Sequence, residues 1–313
     1  MGEVLLTGAT GFVGRELLAR FLDRDDRHVH ALVRAGDDCE ATARLPAHER
    51  LSVWAGDIER PGLGLDARRA DELAERVSTV VHCAASVSFS LGLDESRRVN
   101  VDGTGRMVDL AERCASRGDG LERFSYVSTA YVAGAHRGTF GEDSLDVGQS
   151  FRNPYERSKF EAERLVRERA SGLPAQVLRP SIVVGDSRTG WTSSFNVLYP
   201  PLRALSRGLV ARVPADPQAI VDVVPVDHVA DVVLTAWLFD DAPETLHAVA
   251  SDDALRAADL AAAAAGRQLG VVGIHHGHRP AEHAGGRRRE IRGAQRVIRR
   301  DRVQGLRLSL IHI

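Results

Sequence analysis

The sequence predicts an α/β protein built on a doubly wound parallel sheet. Short runs rich in β-branched residues alternate with longer stretches of helical periodicity through the first half of the chain. The first of these runs leads directly into a glycine-rich turn and then into a helical stretch. Because strands that alternate with helices pair in parallel and are covered by helices, this order predicts a single wrapped sheet.

Strands and helices are expected along residues 4–184. The predicted strands are Val4–Thr7, Val29–Val33, Leu51–Trp54, Thr79–Cys83, Phe124–Ser128 and Gln176–Val184, and the predicted helices are Phe12–Leu22, Asp94–Arg117 and Pro154–Arg169. The last helix has a complete start signal, because Asn153 suits the N-cap, Pro154 the first helical position and Glu156 the capping box. Tyr155 therefore lies in its first turn.

After Asp186 the alternation loosens into a region that contains glycine, serine and proline. One more strand is predicted at Val221–Val226, a helix at Asp227–Phe239, and a return to the sheet at Leu246–Ala250. We therefore divide the chain into a nucleotide-binding domain with the catalytic residues (1–185), a small C-terminal substrate lobe with interleaved sheet elements (186–270) and an atypical tail (271–313).

The tail differs in composition from the rest of the chain. It contains His275, His276, His278 and His283, followed by an arginine-dense stretch at 287–302. The histidines lack a regular helical spacing, so no metal site is predicted, and the arginines lack interleaved aromatic residues, which argues against nucleic-acid binding. The last six residues resemble the translation of a sequencing-library adaptor, so we interpret the tail as frameshifted or foreign sequence.

Composition favours small-molecule chemistry. The 313 residues are 43% hydrophobic, enough for one large core, and the net charge of −2 gives no reason to expect a nucleic-acid partner. Cys39, Cys83 and Cys114 lack the paired spacing of a zinc site or a disulfide framework. No signal peptide or apolar run of membrane-spanning length is present. We expect a cytoplasmic protein without an integral membrane segment.

The glycine-rich turn between the first strand and the first helix predicts a dinucleotide site of the Rossmann type. Glycines at these positions let the backbone turn tightly and approach a pyrophosphate, whose charge the helix N-terminus stabilises. The candidate cofactor contacts here are Thr7, Gly8, Thr10, Gly11, Phe12, Val13 and Gly14. A tight turn with a purely structural role is the alternative interpretation.

The end of the second strand predicts which dinucleotide binds. A carboxylate there binds the ribose hydroxyls of NAD, whereas a cation accepts the extra phosphate of NADP. Arg34 stands at this position and favours NADP (NADPH), with Arg15 as a helper, and NAD is disfavoured. Asp37 and Asp38 follow too late for the usual carboxylate unless the loop brings one back. A solvated strand-end charge is the alternative role for Arg34.

Small and acidic residues after the third and fourth strands complete the predicted cofactor site. The candidates are Asp57, Ile58, Ala84 and Ala85. Asp57 can accept a hydrogen bond from the adenine amino group or cap a turn, and these alternatives remain open. His82 and Cys83 are interpreted as packed strand-end residues rather than ligands.

Tyr155 and Lys159 are four residues apart on a predicted helix and share one face. Lowering the pKa of a tyrosine from about 10 to about 7 takes roughly 4 kcal/mol. An ammonium about 4 Å away supplies about that much at an effective dielectric near 20. We therefore expect Lys159 to lower the Tyr155 pKa and Tyr155 to donate a proton. The alternative is a solvated pair on a helix surface.

Thr129 follows the fifth strand and can hydrogen bond to a substrate oxygen that gains negative charge. Ser128 is the competing candidate for this role. The predicted catalytic set is therefore Thr129, Tyr155 and Lys159.

These motifs, in order from Thr7 to about Val229, resemble the extended short-chain dehydrogenase/reductase family. Asn100–Thr104 is similar to the family's structural helix motif, and Tyr155–Lys159 to its catalytic pair. Five stretches resemble the branch of fatty acyl-CoA reductases and thioester reductase domains of carboxylic acid reductases: His82–Ser86, Val127–Tyr131, Arg179–Asp186, Thr189–Trp191 and Val221–Asp227. The tail does not resemble this branch.

The resemblance implies specific roles and a reaction. Thr129 would be the hydroxyl partner, Tyr155 the proton donor and Lys159 its activator, while Pro180, Ile182 and Val183 would lie beside the nicotinamide. The implied reaction is NADPH-dependent reduction of an acyl thioester, carried by CoA or an acyl carrier protein, to an aldehyde. A second hydride transfer could give the alcohol, and the choice between the two products stays open. Members of the family often form homodimers through the catalytic helix and its predecessor.

Three alternatives remain open at this point. A carbonyl reductase or hydroxysteroid-type dehydrogenase uses the same catalytic set, and so does a sugar-nucleotide epimerase, although tightly held NAD fits poorly with Arg34. A non-catalytic NADP-binding sensor would usually lack the tyrosine and lysine pair. A serine hydrolase is disfavoured because no Gly-x-Ser-x-Gly motif is present.

Overall fold

The computed structural model describes residues 2–195, 198–210, 215–237, 242–250, 254–266 and 311–312. The strands are β1 (Glu3–Thr7), β2 (Val29–Val33), β3 (Leu51–Ala55), β4 (Val77–His82), β5 (Arg123–Val127), β6 (Thr139–Phe140), β7 (Ala175–Pro180), β8 (Ile182–Val184), β9 (Ile220–Val221), β10 (Val223–Pro225), β11 (Thr245–Ala248), β12 (Leu255–Arg256) and β13 (Ile311–His312). The helices are α1 (Phe12–Arg24), α2 (Asp38–Ala43), α3 (Ala67–Arg76), α4 (Leu93–Arg97), α5 (Gly103–Ala115), α6 (Pro154–Arg169), α7 (Tyr199–Ser206), α8 (Val226–Trp237) and α9 (Ala257–Ala264).

Seven strands form one sheet in the order β11-β7-β5-β4-β1-β2-β3. Every pairing in it is parallel, which confirms the predicted doubly wound fold class. The chain order reverses between β1 and β4, because β2 and β3 extend to one side and the later strands to the other. The carboxyl ends of strands at such a reversal leave a crevice between the flanking connections, and ligands bind there in open α/β sheets.

Two apolar clusters cover the two faces of this sheet. Leu5, Val80 and Phe124 face α3, α5 and α6, whereas Val4 and Leu6 face α1, α2 and α8. The side chains alternate between the faces because successive strand residues point in opposite directions. Burial on both faces explains why the strands read as nearly continuous apolar runs.

Helix α6 begins and ends where the sequence predicts, at Pro154 and Arg169. The Asn153 side chain accepts a hydrogen bond from the Glu156 amide at 2.9 Å, as an N-cap should. The Glu156 carboxylate accepts one from the amide of Arg152, one residue before the usual capping-box partner. The predicted helix Asp94–Arg117 is present as α4 and α5, joined by the π-helical turn Arg98–Asp102.

The predicted strand Gln176–Val184 is wrong as a single element. It is divided into β7 and β8, because the partner strand β11 ends at Ala248 and the last bond to it comes from the Ser181 amide. The Ile182 amide donates to Asp222 instead, and β8 pairs with β10 in a separate two-stranded sheet. The predicted strand Val221–Val226 is likewise divided into β9 and β10, and Val226 begins α8.

Several elements were not predicted, namely the helices α2, α3, α7 and α9 and the short strands β6, β12 and β13. The predicted helix end at Phe239 lies outside the described residues, and so does the tail apart from Ile311–His312, which pairs with β6. His275, His276, His278 and His283 are therefore among the residues that the structure does not describe. No helix in the described part of the chain combines the length and apolar character needed to cross a membrane.

Candidate active site

A cleft of about 1180 Å³ opens at the carboxyl ends of the strands beside the reversal between β1 and β4. It brings together nearly all the predicted site residues: Gly8, Thr10, Gly11, Phe12, Val13, Gly14, Arg34, Asp57, Ile58, Ala84, Ala85, Thr129, Tyr155, Lys159, Pro180, Ile182 and Val183. Thr7 is the exception. Candidates from six strand ends, from β8 and from helix α6 therefore share one cavity large enough for a dinucleotide and a substrate.

The glycine loop lets the backbone come as close as a cofactor would require. Gly8 has a φ of +75°, and a Cβ on Gly14 would lie 2.0 Å from the Gly8 carbonyl oxygen. Gly11 is the N-cap of α1 and provides no side-chain cap. The first amides of α1 therefore have no side-chain acceptor at the N-cap, and such amides bind anionic groups. These features fit the pyrophosphate of a dinucleotide.

Thr7 does not line the cleft but supports its floor. Its hydroxyl accepts hydrogen bonds from the amides of Cys83 and Ala84 and lies 2.8 Å from His82 Nδ1. Burial lowers the pKa of His82 to about 3, so the ring is neutral. The consistent assignment has Thr7 donating to Nδ1 and Nε2 donating to Thr104 at 3.1 Å. His82 is a packed strand-end residue, as predicted.

Arg34 lies at the edge of the cleft with 74% of its side chain exposed. Its Nη1 pairs with Glu59 Oε1 at 3.3 Å, so the guanidinium remains available to a second anion. Asp37 caps α2 through the Glu40 amide, and Asp38 is paired with Arg69. Neither aspartate lines the cleft, which agrees with the expectation that they do not replace the usual ribose carboxylate.

Arg15 and Asp57 have local partners as well as positions on the cleft wall. Arg15 Nε donates to the Thr10 carbonyl at 3.0 Å. Asp57 Oδ1 accepts a hydrogen bond from the Glu59 amide at 2.9 Å. The turn-capping role of Asp57 is thus present, and its position on the cleft is also compatible with adenine binding.

Tyr155 and Lys159 are buried on one face of α6, at 9% and 2% exposure. Burial raises the pKa of Tyr155 to about 12, although a hydrogen bond with the Thr129 side chain acts in the opposite direction. Burial also lowers the pKa of Lys159 to about 8. Lys159 is the single lysine of the chain, a signal that the sequence offers without any structure.

The expected effect of Lys159 on Tyr155 is not seen. Lys159 Nζ donates to the Val127 carbonyl at 2.9 Å and lies 4.3 Å from the centre of the Tyr126 ring. Desolvation of the phenolate therefore dominates the Tyr155 pKa instead of the ammonium. A protonated phenol is still the form that can donate a proton to a substrate oxygen.

The two candidate hydroxyls after β5 have different partners. Ser128 Oγ donates to Glu163 Oε2 at 2.6 Å, deep in the core. Thr129 Oγ1 accepts from the Tyr131 amide and donates to the Pro180 carbonyl at 3.4 Å, and the Thr129 side chain acts to lower the pKa of Tyr155. The structure therefore places Thr129, not Ser128, next to the tyrosine hydroxyl.

An aromatic wall beside Tyr155 was not predicted. The Phe89 ring lies 5.4 Å from the Tyr155 ring and 6.5 Å from the Tyr131 ring, centre to centre. Val87 and Phe195 add exposed apolar surface to the same cleft. Phe89 lies in a serine-containing loop without periodicity, so the sequence carries no signal for this contact.

Known proteins resemble this chain over most of its described part. Residues 6–233 match the family model described as Male sterility protein. The isonitrile lipopeptide synthase of Streptomyces coeruleorubidus is 34% identical over 73% of this chain and 16% of its own length. A putative fatty acyl-CoA reductase of Drosophila melanogaster is 27% identical over 80% of this chain and 55% of its own length. The chain thus spans about half the length of the second relative and far less of the first.

A solved structure shows the same relationship. The crystal structure of the terminal R domain from the myxalamid PKS-NRPS biosynthetic pathway is 32% identical with a TM-score of 0.74, over 82% of this chain and 67% of that chain. The resemblance inferred from the motifs and the predicted class, an NAD(P)-dependent oxidoreductase, are confirmed. The chain belongs to the family described as Male sterility protein, within the extended short-chain dehydrogenases/reductases.

Proposed function

We propose that the protein is an NADPH-dependent reductase of acyl thioesters that forms an aldehyde and, in a second reduction, an alcohol. The observation that carries this proposal is that Thr129, Tyr155 and Lys159 line the same cleft as the glycine loop. The relatives named fatty acyl-CoA reductase and R domain support the choice of a thioester.

The residues of the cleft fit NADPH. The amides at the start of α1 would hold the pyrophosphate and the exposed Arg34 guanidinium the additional phosphate. Pro180, Ile182 and Val183 would form the wall beside the nicotinamide. The bound cofactor supplies the hydride for the carbonyl carbon.

The catalytic set would act on the carbonyl oxygen. Tyr155, protonated at neutral pH because burial raises its pKa to about 12, would donate a proton, and Thr129 would add a second hydrogen bond. Lys159, held by the Val127 carbonyl, would contribute positive charge to the site while it is protonated. Collapse of the resulting thiohemiacetal would release a thiol and an aldehyde.

The proposal also covers the group that carries the acyl chain and the oligomeric state of the protein. The myxalamid R domain is part of a PKS-NRPS pathway, which supports an acyl group bound to a carrier protein, and the Drosophila relative is named for acyl-CoA. We propose acyl-CoA as the substrate for a first assay, since it presents the same thioester. A homodimer through α5 and α6 remains a prediction.

The proposal is tested by following NADPH oxidation and free thiol together in the presence of acyl-CoA. We expect one thiol for the first hydride transferred. Oxidation without thiol release would exclude a thioester substrate and leave a ketone or aldehyde reductase. Tyr155→Phe should lower kcat by about 10²- to 10⁴-fold. Tyr199→Phe is the matched control, because its hydroxyl accepts a hydrogen bond from the Gly185 amide outside the catalytic set.

A further inference from the structure

A fully buried ion pair lies directly behind the catalytic set. Arg179 Nη2 lies 2.6 Å from Glu163 Oε1, and both side chains have 0% exposure. Burying two such charges costs several kcal/mol of hydration each, and apolar residues of similar volume often stabilise a core as well or better. Stability alone is therefore a weak explanation for this pair.

The pair is fixed by a complete set of hydrogen bonds. Arg179 donates to both Glu163 oxygens, to the carbonyls of Gly141 and Ser144, and its Nη1 lies 3.1 Å from His247 Nε2. Guanidinium donors point in fixed, planar directions, so this arrangement allows little movement of Arg179 or of the carboxylate that it binds.

Glu163 also links three elements that carry cleft residues. It lies on the face of α6 that carries Tyr155 and Lys159, because the three residues follow at intervals of four. Its Oε2 accepts from Ser128 Oγ, and Ser128 immediately precedes Thr129. Its ion-pair partner Arg179, on β7, immediately precedes Pro180.

We propose that Glu163, through Ser128 and Arg179, is a positioning residue that sets the catalytic helix against the two strand ends carrying Thr129 and Pro180. This inference rests on the proposed function, because it assumes that Thr129, Tyr155 and Lys159 act together. The hydrogen bonds and ion pairs of Glu163 go to Ser128, Arg167 and Arg179 rather than to the catalytic residues.

The position of Glu163 has an electrostatic consequence for Lys159. The titratable groups around Lys159 are His82 and Cys83 after β4, Tyr126 on β5, Tyr155 and Glu163 on α6, and Arg179 on β7 behind Glu163. Burial keeps His82 neutral and raises the pKa of the Cys83 thiol to about 11 and those of both tyrosines. At neutral pH, Glu163 is therefore the carboxylate that favours the charged form of Lys159.

Because Lys159 is the single lysine, its titration can be measured directly. Protein labelled with ¹³C at the lysine ε-carbon gives one lysine side-chain signal, whose shift against pH reports the Lys159 pKa without any substrate. Glu163→Gln keeps the shape and removes the charge, and we expect the pKa to fall by about one unit. Glu161→Gln is the matched control, because this α6 carboxylate pairs with Arg97 and Arg157 instead.

Activity tests the positioning itself. Ser128→Ala keeps the ion pair and removes one link, and we expect a fall in kcat of about fivefold with the NADPH affinity unchanged. Glu163→Gln should lower kcat by at least about tenfold and move the alkaline limb of the rate profile to lower pH. If it does not fold, the double variant Glu163→Gln/Arg179→Met removes both charges of the pair. It should lower the Lys159 pKa by less than the single variant, because the loss of the Arg179 cation acts in the opposite direction.

The proposal would be overturned if folded Glu163→Gln had the same Lys159 pKa and the same kcat as the wild type. It would also be overturned if Glu161→Gln changed both quantities as much as Glu163→Gln does. A wild-type protein that reduces no acyl thioester would refute the proposed function instead. The NMR titration of Lys159 needs no substrate, so it still tests the role of Glu163 when the proposed function fails.

Discussion

Replacing Arg34 by alanine should reduce the preference for NADPH over NADH. Arg34 is the charged strand-end residue on the cleft, and its Glu59 partner at 3.3 Å orients the guanidinium without enclosing it. NADH lacks the phosphate that this cation would bind. The loss should therefore fall on NADPH alone.

The size of the loss follows from the exposure of the side chain. A hydrogen bond to a charged group contributes about 1.5–3 kcal/mol. With 74% of the Arg34 side chain exposed, water and salt weaken the interaction to about 1–1.5 kcal/mol. That range corresponds to a fall of about 5- to 13-fold in kcat/KM for NADPH.

The assay compares kcat/KM for NADPH and NADH with the same acyl-CoA. Arg98→Ala is the matched control, because Arg98 Nε binds the other oxygen of Glu59 at 3.3 Å and does not line the cleft. Raising the salt from about 0.05 to about 0.3 M should narrow the NADPH preference of the wild type. An equal loss for both cofactors, or an unchanged ratio, would refute the assignment of Arg34 to the phosphate.

Three further predictions follow from the cleft. Lys159 has a pKa of about 8 and contributes its charge only while protonated. We therefore expect kcat/KM to be constant below that pH and to fall as the pH rises through it. A rate profile from pH 6 to 10 at about half-unit intervals checks this. Phe89→Ala removes part of the apolar wall and should lower kcat/KM for long acyl chains about fivefold while the KM for NADPH stays the same, and the exposed Val147→Ala should change neither. Gly14→Ala should weaken NADPH binding at least about tenfold, because the new Cβ would lie 2.0 Å from a carbonyl oxygen; Gly172→Ala, with nothing within 4 Å, should bind normally in the same fluorescence titration.

Features set by neighbouring residues were the ones that the sequence predicted well. The start of α6 depends on Asn153, Pro154 and Glu156, which interact within one turn, and its bounds were predicted correctly. The glycine loop is equally local, since its requirement is a backbone conformation and a close approach between Gly8 and Gly14. The loop residues line the cleft at the carboxyl end of the first strand, where the order of strand, glycine-rich turn and helix predicted a dinucleotide site.

Features set by distant residues could not be read from the pattern. The run Gln176–Val184 is apolar throughout, yet it changes sheet after Ser181 because β11 ends opposite Pro180. The Glu163–Arg179 pair joins a helix residue to a strand residue, and nothing in the sequence distinguishes these two charges from charges on the surface. Helix α3 did carry a signal, with Asp66 as N-cap before a stripe of small and apolar residues, but its charged surface conceals that stripe.

The single lysine changes how the molecule would respond to an aldehyde, the product that we propose. Aldehydes condense with primary amines far more readily than with guanidinium groups, and the cations of this chain other than Lys159 and the histidines are arginines. Lys159 is 2% exposed and hydrogen-bonded to Val127, so the protein surface presents no lysine amine to a released aldehyde. If the proposed reaction releases an aldehyde, condensation at a lysine side chain would have to occur at the buried Lys159.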